Sequence, residues 1–247
     1  SNVGVALEYC GNMKLAVVHF CGTDEKRLYT CDLKSEERTV HRTPDFPLPS
    51  EGMIGLVLTA KEGEACVYGG AYETQDALTA RDVRIGISIC TYRREAFVER
   101  NMKSLKESIL DNEKSPAYGK VTICISDNAG TLDGKRMAHE NVKIVKNKNL
   151  GGVGGFTRGM LEHMESDEEL THVLLMDDDV VIPPSAIERL YVYLTLLKPK
   201  YFEYMLGGAL MRLDAPWIQY ESGALWNDGD MIANHHNQDM RDLSYCL

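Results

Sequence analysis

Apolar and polar positions follow two different rhythms along the chain, and the change falls near residue 82. Residues 3–81 carry short apolar runs, Leu15-Ala-Val-Val-His-Phe20, Gly55-Leu-Val-Leu-Thr59 and Ala65-Cys-Val-Tyr68, broken by Gly, Pro and charged residues. Short strand-like runs with such breaks predict a mostly β domain over 1–81, β-sandwich-like in kind. Lys61-Glu-Gly-Glu64 fits a hairpin connection between two of these strands. The prolines of Thr43-Pro-Asp-Phe-Pro-Leu-Pro-Ser50 confine that stretch to a loop or a sheet edge.

Beyond residue 82 the runs alternate with helical periods. Residues 84–90, 120–126, 142–145 and 171–176 read as strands. Residues 95–110 read as a helix, because Val98, Met102, Leu105 and Ile109 recur on one face. A second helix is expected over 156–164. A third opens at Pro184, with Ile187, Leu190, Tyr191 and Leu194 aligned. Strands alternating with helices predict an α/β domain over 82–247. Its polar residues gather where strands end: Thr91 and Arg93, Asp127 and Asn128, and the run Asp177-Asp178-Asp179. Open α/β sheets bind ligands outside those ends, so the residues are expected to share one crevice.

Composition narrows the function. A net charge of -10 over 247 residues argues against a nucleic-acid partner, which needs concentrated Lys and Arg. A nucleotide needs only a local cation or metal. No apolar stretch approaches the ~18 residues of a membrane span, and no signal peptide opens the chain. Ser1-Asn2 reads as a remnant of recombinant expression. The seven cysteines (Cys10, Cys21, Cys31, Cys66, Cys90, Cys124 and Cys246) are odd in number and form no CxxC pair. Neither a disulfide framework nor a thiolate zinc site is favoured, and a reducing, cytoplasmic setting is expected.

In an extended segment Asp177 and Asp179 point the same way, and two converging carboxylates suit a hard divalent cation, Mn2+ or Mg2+. A solvated acidic turn is the plainer explanation of such a run, but its place after an apolar strand favours binding. The stretch Asn147-Lys-Asn-Leu-Gly-Gly-Val-Gly-Gly-Phe-Thr-Arg158 is the second strong element. Asn149, Gly151, Gly152, Gly154, Gly155 and Arg158 are expected to form a recognition turn that brings backbone close to an anion at a helix start. It matches neither GxGxxG nor GxxxxGK[ST], so dinucleotide and ATP fingerprints are unsupported. Arg93, Asp127 and Asn128 are weaker alone; an Asx turn explains Asp127 equally well.

Together these pieces resemble the family 2 glycosyltransferases with a GT-A fold, in particular the bacterial galactofuranosyltransferases. The resemblance rests on Ile89-Cys-Thr-Tyr-Arg-Arg94, Ser126-Asp-Asn-Ala-Gly130, Asn147–Gly159 and Leu174-Leu-Met-Asp-Asp-Asp-Val180, and covers about residues 82–230. It implies a GT-A domain preceded by a β domain, and inverting transfer from a UDP-sugar, UDP-galactofuranose above all, to a glycan or glycolipid acceptor. Thr91, Arg93, Asp127, Asn128 and Asp178 would serve the nucleotide-sugar, Asp177 and Asp179 the metal. Glu221 would lie on the acceptor side, and the residues themselves allow Trp226 to stack on a sugar there; an exposed acid and a partly buried core aromatic are their plainer explanation. Work at the inner face of the membrane, peripheral association and a homo-oligomer are compatible with this. The family core continues past the point where this chain stops and supplies a catalytic carboxylate and a metal-binding histidine there. The resemblance therefore implies C-terminal truncation, and the general base stays unassigned. A sugar nucleotidyltransferase and a noncatalytic carbohydrate-binding module are the alternatives.

Overall fold

A computed structural model describes residues 2–76, 79–166, 169–242 and 245, the side chain of residue 62 excepted. Cys246 lies outside the described residues. The chain divides into two compact units, Ser1–Ala77 with Tyr204–Leu247, and Leu78–Glu203.

The N-terminal part of the first unit is built from three long antiparallel strands. β1 (Asn2–Cys21) pairs on one side with β2 (Asp24–Arg42). The two-residue β3 (Phe46–Pro47) adds to the start of β1, where the proline-rich stretch was expected at an edge. β4 (Met53–Glu73) pairs with β1 on its other side. The short strands and the 61–64 hairpin expected from the sequence are therefore corrected: β4 runs unbroken through both. Gly and charged residues in a strand mark an irregularity as readily as a turn. Here the β1–β4 register slips at Cys10/Asn12 and Asn12/Met13.

β1 is not straight. Val3 and Val5 share one buried cluster with Val17, and Leu7 and Tyr9 share another with Met13 and Leu15. A straight strand would hold Val5 and Val17 about 40 Å apart at ~3.3 Å per residue. The bend is at Gly11, whose φ of +97° favours glycine and whose missing Cβ would lie 2.5 Å from the Glu64 carbonyl oxygen. Cys31 and His41, ten residues apart on β2, confirm the fold-back, with Sγ and Nε2 at 3.5 Å.

The second unit is an α/β layer structure. Its strands are β5 (Ile85–Thr91), β6 (Val121–Asp127), β7 (Val142–Lys146) and β8 (His172–Asp177). All pair in parallel, in the order β7-β6-β5-β8. Between β5 and β6 comes α1 (Glu95–Leu105), prolonged by a wider π turn to Leu110. α2 (Gly151–Met164) joins β7 to β8, and α3 (Pro184–Leu196) follows. The strands and the first helix lie within about a residue of the sequence expectation.

Alternation along β5 decides which helix goes where. Ile85, Ile87 and Ile89 point to one face and join Val98, Met102, Leu105, Ile109, Ile187 and Leu194 in a single apolar core. Gly86, Ser88 and Cys90 point to the other face, where α2 lies. After β5 the chain builds outward through β6 to β7, then α2 carries it back over the opposite face to β8 on the far side of β5. The winding direction therefore reverses between β5 and β8, and their C-terminal ends flank a switch-point crevice.

The second helix starts earlier than expected, at Gly151 rather than Phe156. Its glycines are not a loop but part of the helix, and two of them, Gly155 and Gly159, face the sheet. A Cβ on Gly155 would meet Cys90 Sγ at 2.1 Å, and one on Gly159 would meet Ser88 Oγ at 1.9 Å. A Cβ on Gly86 would in turn meet the His163 ring at 2.9 Å. Four helical residues rise about 6 Å and two strand residues about 6.6 Å, so Gly155, Gly159 and His163 fall opposite Cys90, Ser88 and Gly86 in turn. The helix lies almost on the strand because at each level one of the two facing residues is a glycine.

In the first unit, β9 (Leu210–Met211), β10 (Ile218–Glu221) and β13 (Gln238–Asp239) form a small sheet. β11 (Ala224–Asn227) and β12 (Asp230–Ala233) form a separate hairpin. No helix among the described residues is long and apolar enough to cross a membrane, and no described cysteine forms a disulfide.

Candidate active site at the switch point

Strand register sets the site. Thr91 is paired with Asp127 and Cys90 with both Ser126 and Asp177, so three polar strand ends stand level. Exposure then alternates through the acidic run. Asp177 and Asp179 are exposed, and Asp178 between them is buried. The Thr91 hydroxyl donates to Asp178 Oδ2 at 2.7 Å, both groups buried. The Asn101 amide, projecting from α1, donates to the carbonyls of Asp178 and Val180 at 3.2 and 2.8 Å. The run is thus fastened from inside the protein, leaving the two outer carboxylates free of that scaffold.

Arg94, immediately before α1, faces those acids. Its guanidinium is bonded to the Asp179 carboxylate and stands 3.6 Å from Asp178. The Asp179 bond, reinforced by the charges around it, raises the Arg94 pKa further above its ordinary value. Burial, with the charges of Asp178 and Asp177 adding to it, pushes the Cys90 thiol up, and its sulfur packs against Gly155 of α2.

Across the crevice α2 begins. The Asn149 side-chain oxygen accepts from the Gly151 N–H at 3.1 Å, and Gly151 has a φ of +73° that favours glycine. Asn147 donates to Asn128 Oδ1 at 2.8 Å, and Asn128 donates to the Gly151 carbonyl at 3.4 Å, tying the end of β6 to the start of the helix. Cys90, Thr91, Tyr92, Arg94, Asn128, Asn149, Gly151, Gly152 and Asp178 line a cleft of about 320 Å³. A helix N-terminus at a cleft favours an anionic ligand.

The expected residues therefore divide. Thr91, Asn128, Asn149, Gly151, Gly152 and Asp178 come together in the cleft, with Asp177 and Asp179 beside Asp178. Gly154 and Gly155 do not line it: Gly155 packs on Cys90, and Gly154 sits under the Leu150 side chain. Arg158 pairs with Glu162 one turn along α2, and Lys143 holds the same carboxylate at 2.5 Å. Asp127 accepts from the N–H groups of Ala129, Gly130 and Leu132 at 2.8–3.1 Å, the Asx arrangement that fastens the loop after β6. Arg93 has a φ of +55° and lies over the Tyr92 ring at 5.2 Å. Arg94 is the residue that sequence reasoning passed over. Two adjacent arginines carry equal signal, and only the helix start shows which one faces the acids.

Glu221 ends β10, and Trp226 lies on the β11–β12 hairpin, 72% exposed and so not a core aromatic. Both belong to the first unit.

The donor set suits a hard cation. Among the described residues no group of three or more His, Cys, Asp and Glu is arranged to hold a metal by itself. Two exposed carboxylates are nonetheless what Mg2+ uses when phosphate oxygens and waters complete its shell. Asp177 and Asp179 would hold it.

The Thr91–Asp178 bond carries a direct expectation. Thr91→Val keeps the shape of the side chain but leaves the buried Asp178 carboxylate short of a donor. Stability should fall by about 1–3 kcal/mol, read as a lower midpoint in urea. An unchanged midpoint would show that the bond contributes nothing net.

Known proteins match this part of the chain. Residues 87–198 match the model of glycosyl transferase family 2. The chain is similar to galactofuranosyltransferase GlfT2 of Mycolicibacterium smegmatis, 26% identical over 173 residues, which cover 69% of this chain and 26% of that protein. It is 24% identical over 176 residues to galactofuranosyltransferase GlfT2 of Mycobacterium tuberculosis, with the same coverage. The chain thus spans about a quarter of the length of these curated relatives. The matched segment takes in all four strands of the parallel sheet from Ile87 onward, the glycine-faced helix and the acidic run. Residues 87–198 are a glycosyltransferase family 2 domain, distantly related to the bacterial galactofuranosyltransferases.

Proposed function

We propose that this protein transfers a sugar, galactofuranose, from a UDP-sugar to a glycan or glycolipid acceptor with inversion at the anomeric carbon. One observation carries the reading: Asp177 and Asp179 stand exposed at a switch-point cleft whose opposite wall is the N-terminus of a helix. That pairing suits a diphosphate held between carboxylate-bound cation and helix dipole. The cation, when bound, would stabilise negative charge on the departing diphosphate. The Thr91–Asp178 bond keeps the acidic run in place, and Asn128 and Asn149 set the height of the helix start. An acceptor hydroxyl would then attack from the open side and lose its proton to a carboxylate. Exposed Trp226 would stack on a sugar ring, and Glu221 would bond to its hydroxyls. The N-terminal β region would position the acceptor.

The test supplies the complete gene product with Mn2+, short galactofuranose-containing acceptors and one of three donors: UDP-galactofuranose, UDP-galactopyranose, or UTP with a sugar phosphate. Glycan extension with inverted anomeric configuration by NMR is the expected result with the first donor. Extension only with the pyranose would preserve the reaction and overturn the sugar. Pyrophosphate release from UTP would replace the reading with nucleotidyl transfer. Glycan binding without any donor binding would point to a carbohydrate-binding module.

A further inference from the structure

Arg94 is bonded to Asp179, one of the two carboxylates a divalent cation would need. Asp179 is one of the two exposed carboxylates of the run, and its bond to the guanidinium leaves it already neutralised. Asp178, 3.6 Å from the same guanidinium, cannot rotate into a substitute position, because Thr91 binds its carboxylate and Asn101 its carbonyl. The Arg94–Asp179 pair is half-exposed on both sides, so the contact is free to exchange. Arg94 also lines the cleft itself. A guanidinium leaving Asp179 turns to water, or to an anion where one is bound in the cleft.

We propose, building on the donor-site reading above, that Arg94 is an internal counter-ion that competes with the divalent cation for Asp179. The cation alone must break the ion pair and leave Arg94 uncompensated beside it, two positive groups on one acidic run. A nucleoside diphosphate entering the cleft removes that penalty, since its charge takes up the released guanidinium. Cation and diphosphate are then coupled: each binds weakly alone and strengthens the other by the same factor. Arg94 acts here as a positioning residue that guards the acidic run against cation binding without donor.

The readout is binding rather than turnover. Free Mn2+ is followed by the electron paramagnetic resonance signal of its aqua ion during titration of the chain, with and without UDP. The native chain is expected to bind Mn2+ about tenfold tighter with UDP than without, within the usual span of site–site coupling. Arg94→Gln should bind Mn2+ alone about tenfold tighter than the native chain and lose most of the UDP enhancement. Arg94→Lys, which keeps the charge and a fold-compatible stem, should fall between. In an Asp179→Asn background, Arg94→Gln should have no further effect on Mn2+ affinity. Unchanged Mn2+ affinity in Arg94→Gln, in a chain whose native form still couples Mn2+ to UDP, overturns the proposal alone. A native chain that binds no UDP at any Mn2+ concentration overturns the donor-site reading, and this proposal with it.

Discussion

Adding one methyl group at Gly159 should destabilise the α/β unit, one of the two largest losses expected from a glycine-to-alanine change on the sheet-facing side of α2. The new Cβ would lie 1.9 Å from Ser88 Oγ and 3.0 Å from Ser88 Cβ, on a residue with no exposed surface. The hydroxyl can rotate away, but the Cβ moves only if strand and helix separate. Overpacking of this kind costs about 1–3 kcal/mol, which in a chain of this size lowers the melting midpoint by roughly 2–4 °C per kcal/mol. Gly155→Ala should behave alike, because Cys90 Sγ and Cβ lie 2.1 and 2.9 Å from the added atom. Gly152→Ala is the control: its Cβ would meet only a Phe156 ring carbon at 3.9 Å. There the gain in helix propensity should leave stability unchanged or raised by up to about 1 kcal/mol. Equal melting points for all three variants would show that the glycines serve the cleft and not the packing.

Asp177→Asn should reduce sugar transfer by about 10²–10³-fold, the loss expected when several kcal/mol of charge stabilisation leave a reacting diphosphate. Stability should barely move, because the side chain is exposed. Mn2+ dependence should weaken in parallel, measured as the Mn2+ concentration giving half-maximal rate in transfer assays on the complete gene product. A variant with native rates would remove Asp177 from the cation site. Chelation by EDTA supplies the complementary measurement, since UDP affinity of the native chain should fall with it. If UDP binds equally well after EDTA, the diphosphate is held by the helix start and Arg94 without a metal bridge.

Much of the α/β unit was legible in the sequence because its signals are local and redundant. Val98, Met102, Leu105 and Ile109 repeat at helical spacing, and all four are buried. The acidic run announced itself by following an apolar strand, and the structure places it at a strand end beside the cleft. Glycine misled in two opposite ways. In α2 a glycine cluster reads as a turn, since each residue costs about 1 kcal/mol of helix propensity. The close approach to Cys90 and Ser88, visible only in three dimensions, outweighs that cost. In β4, Gly63 among charged residues reads as a hairpin, yet the corner that matters is Gly11 on the neighbouring strand. Arg158 and Asp127 are expected in the cleft by sequence proximity, yet their partners are local: Glu162 stands one helical turn along α2, once the glycine stretch is read as helix, and three backbone N–H groups follow Asp127 within five residues. Polar residues near a site divide into those that hold the ligand and those that hold the loops, and composition does not tell them apart.

The bend in β1 has a consequence for how the N-terminal sheet comes apart. Val5 and Val17 share one buried cluster although they stand twelve positions apart on one strand. One strand therefore belongs to both halves of the folded sheet, and so do its partners β2 and β4. Neither half can open while the other stays closed, because peeling β1 from either end removes the strand that the opposite half packs against. Local fraying, which in ordinary sheets proceeds edge by edge from the most weakly held strand, is expected to find few intermediate stops here. Hydrogen exchange is expected to show the sheet opening as a single cooperative block, with Gly11 as the corner that joins its two halves.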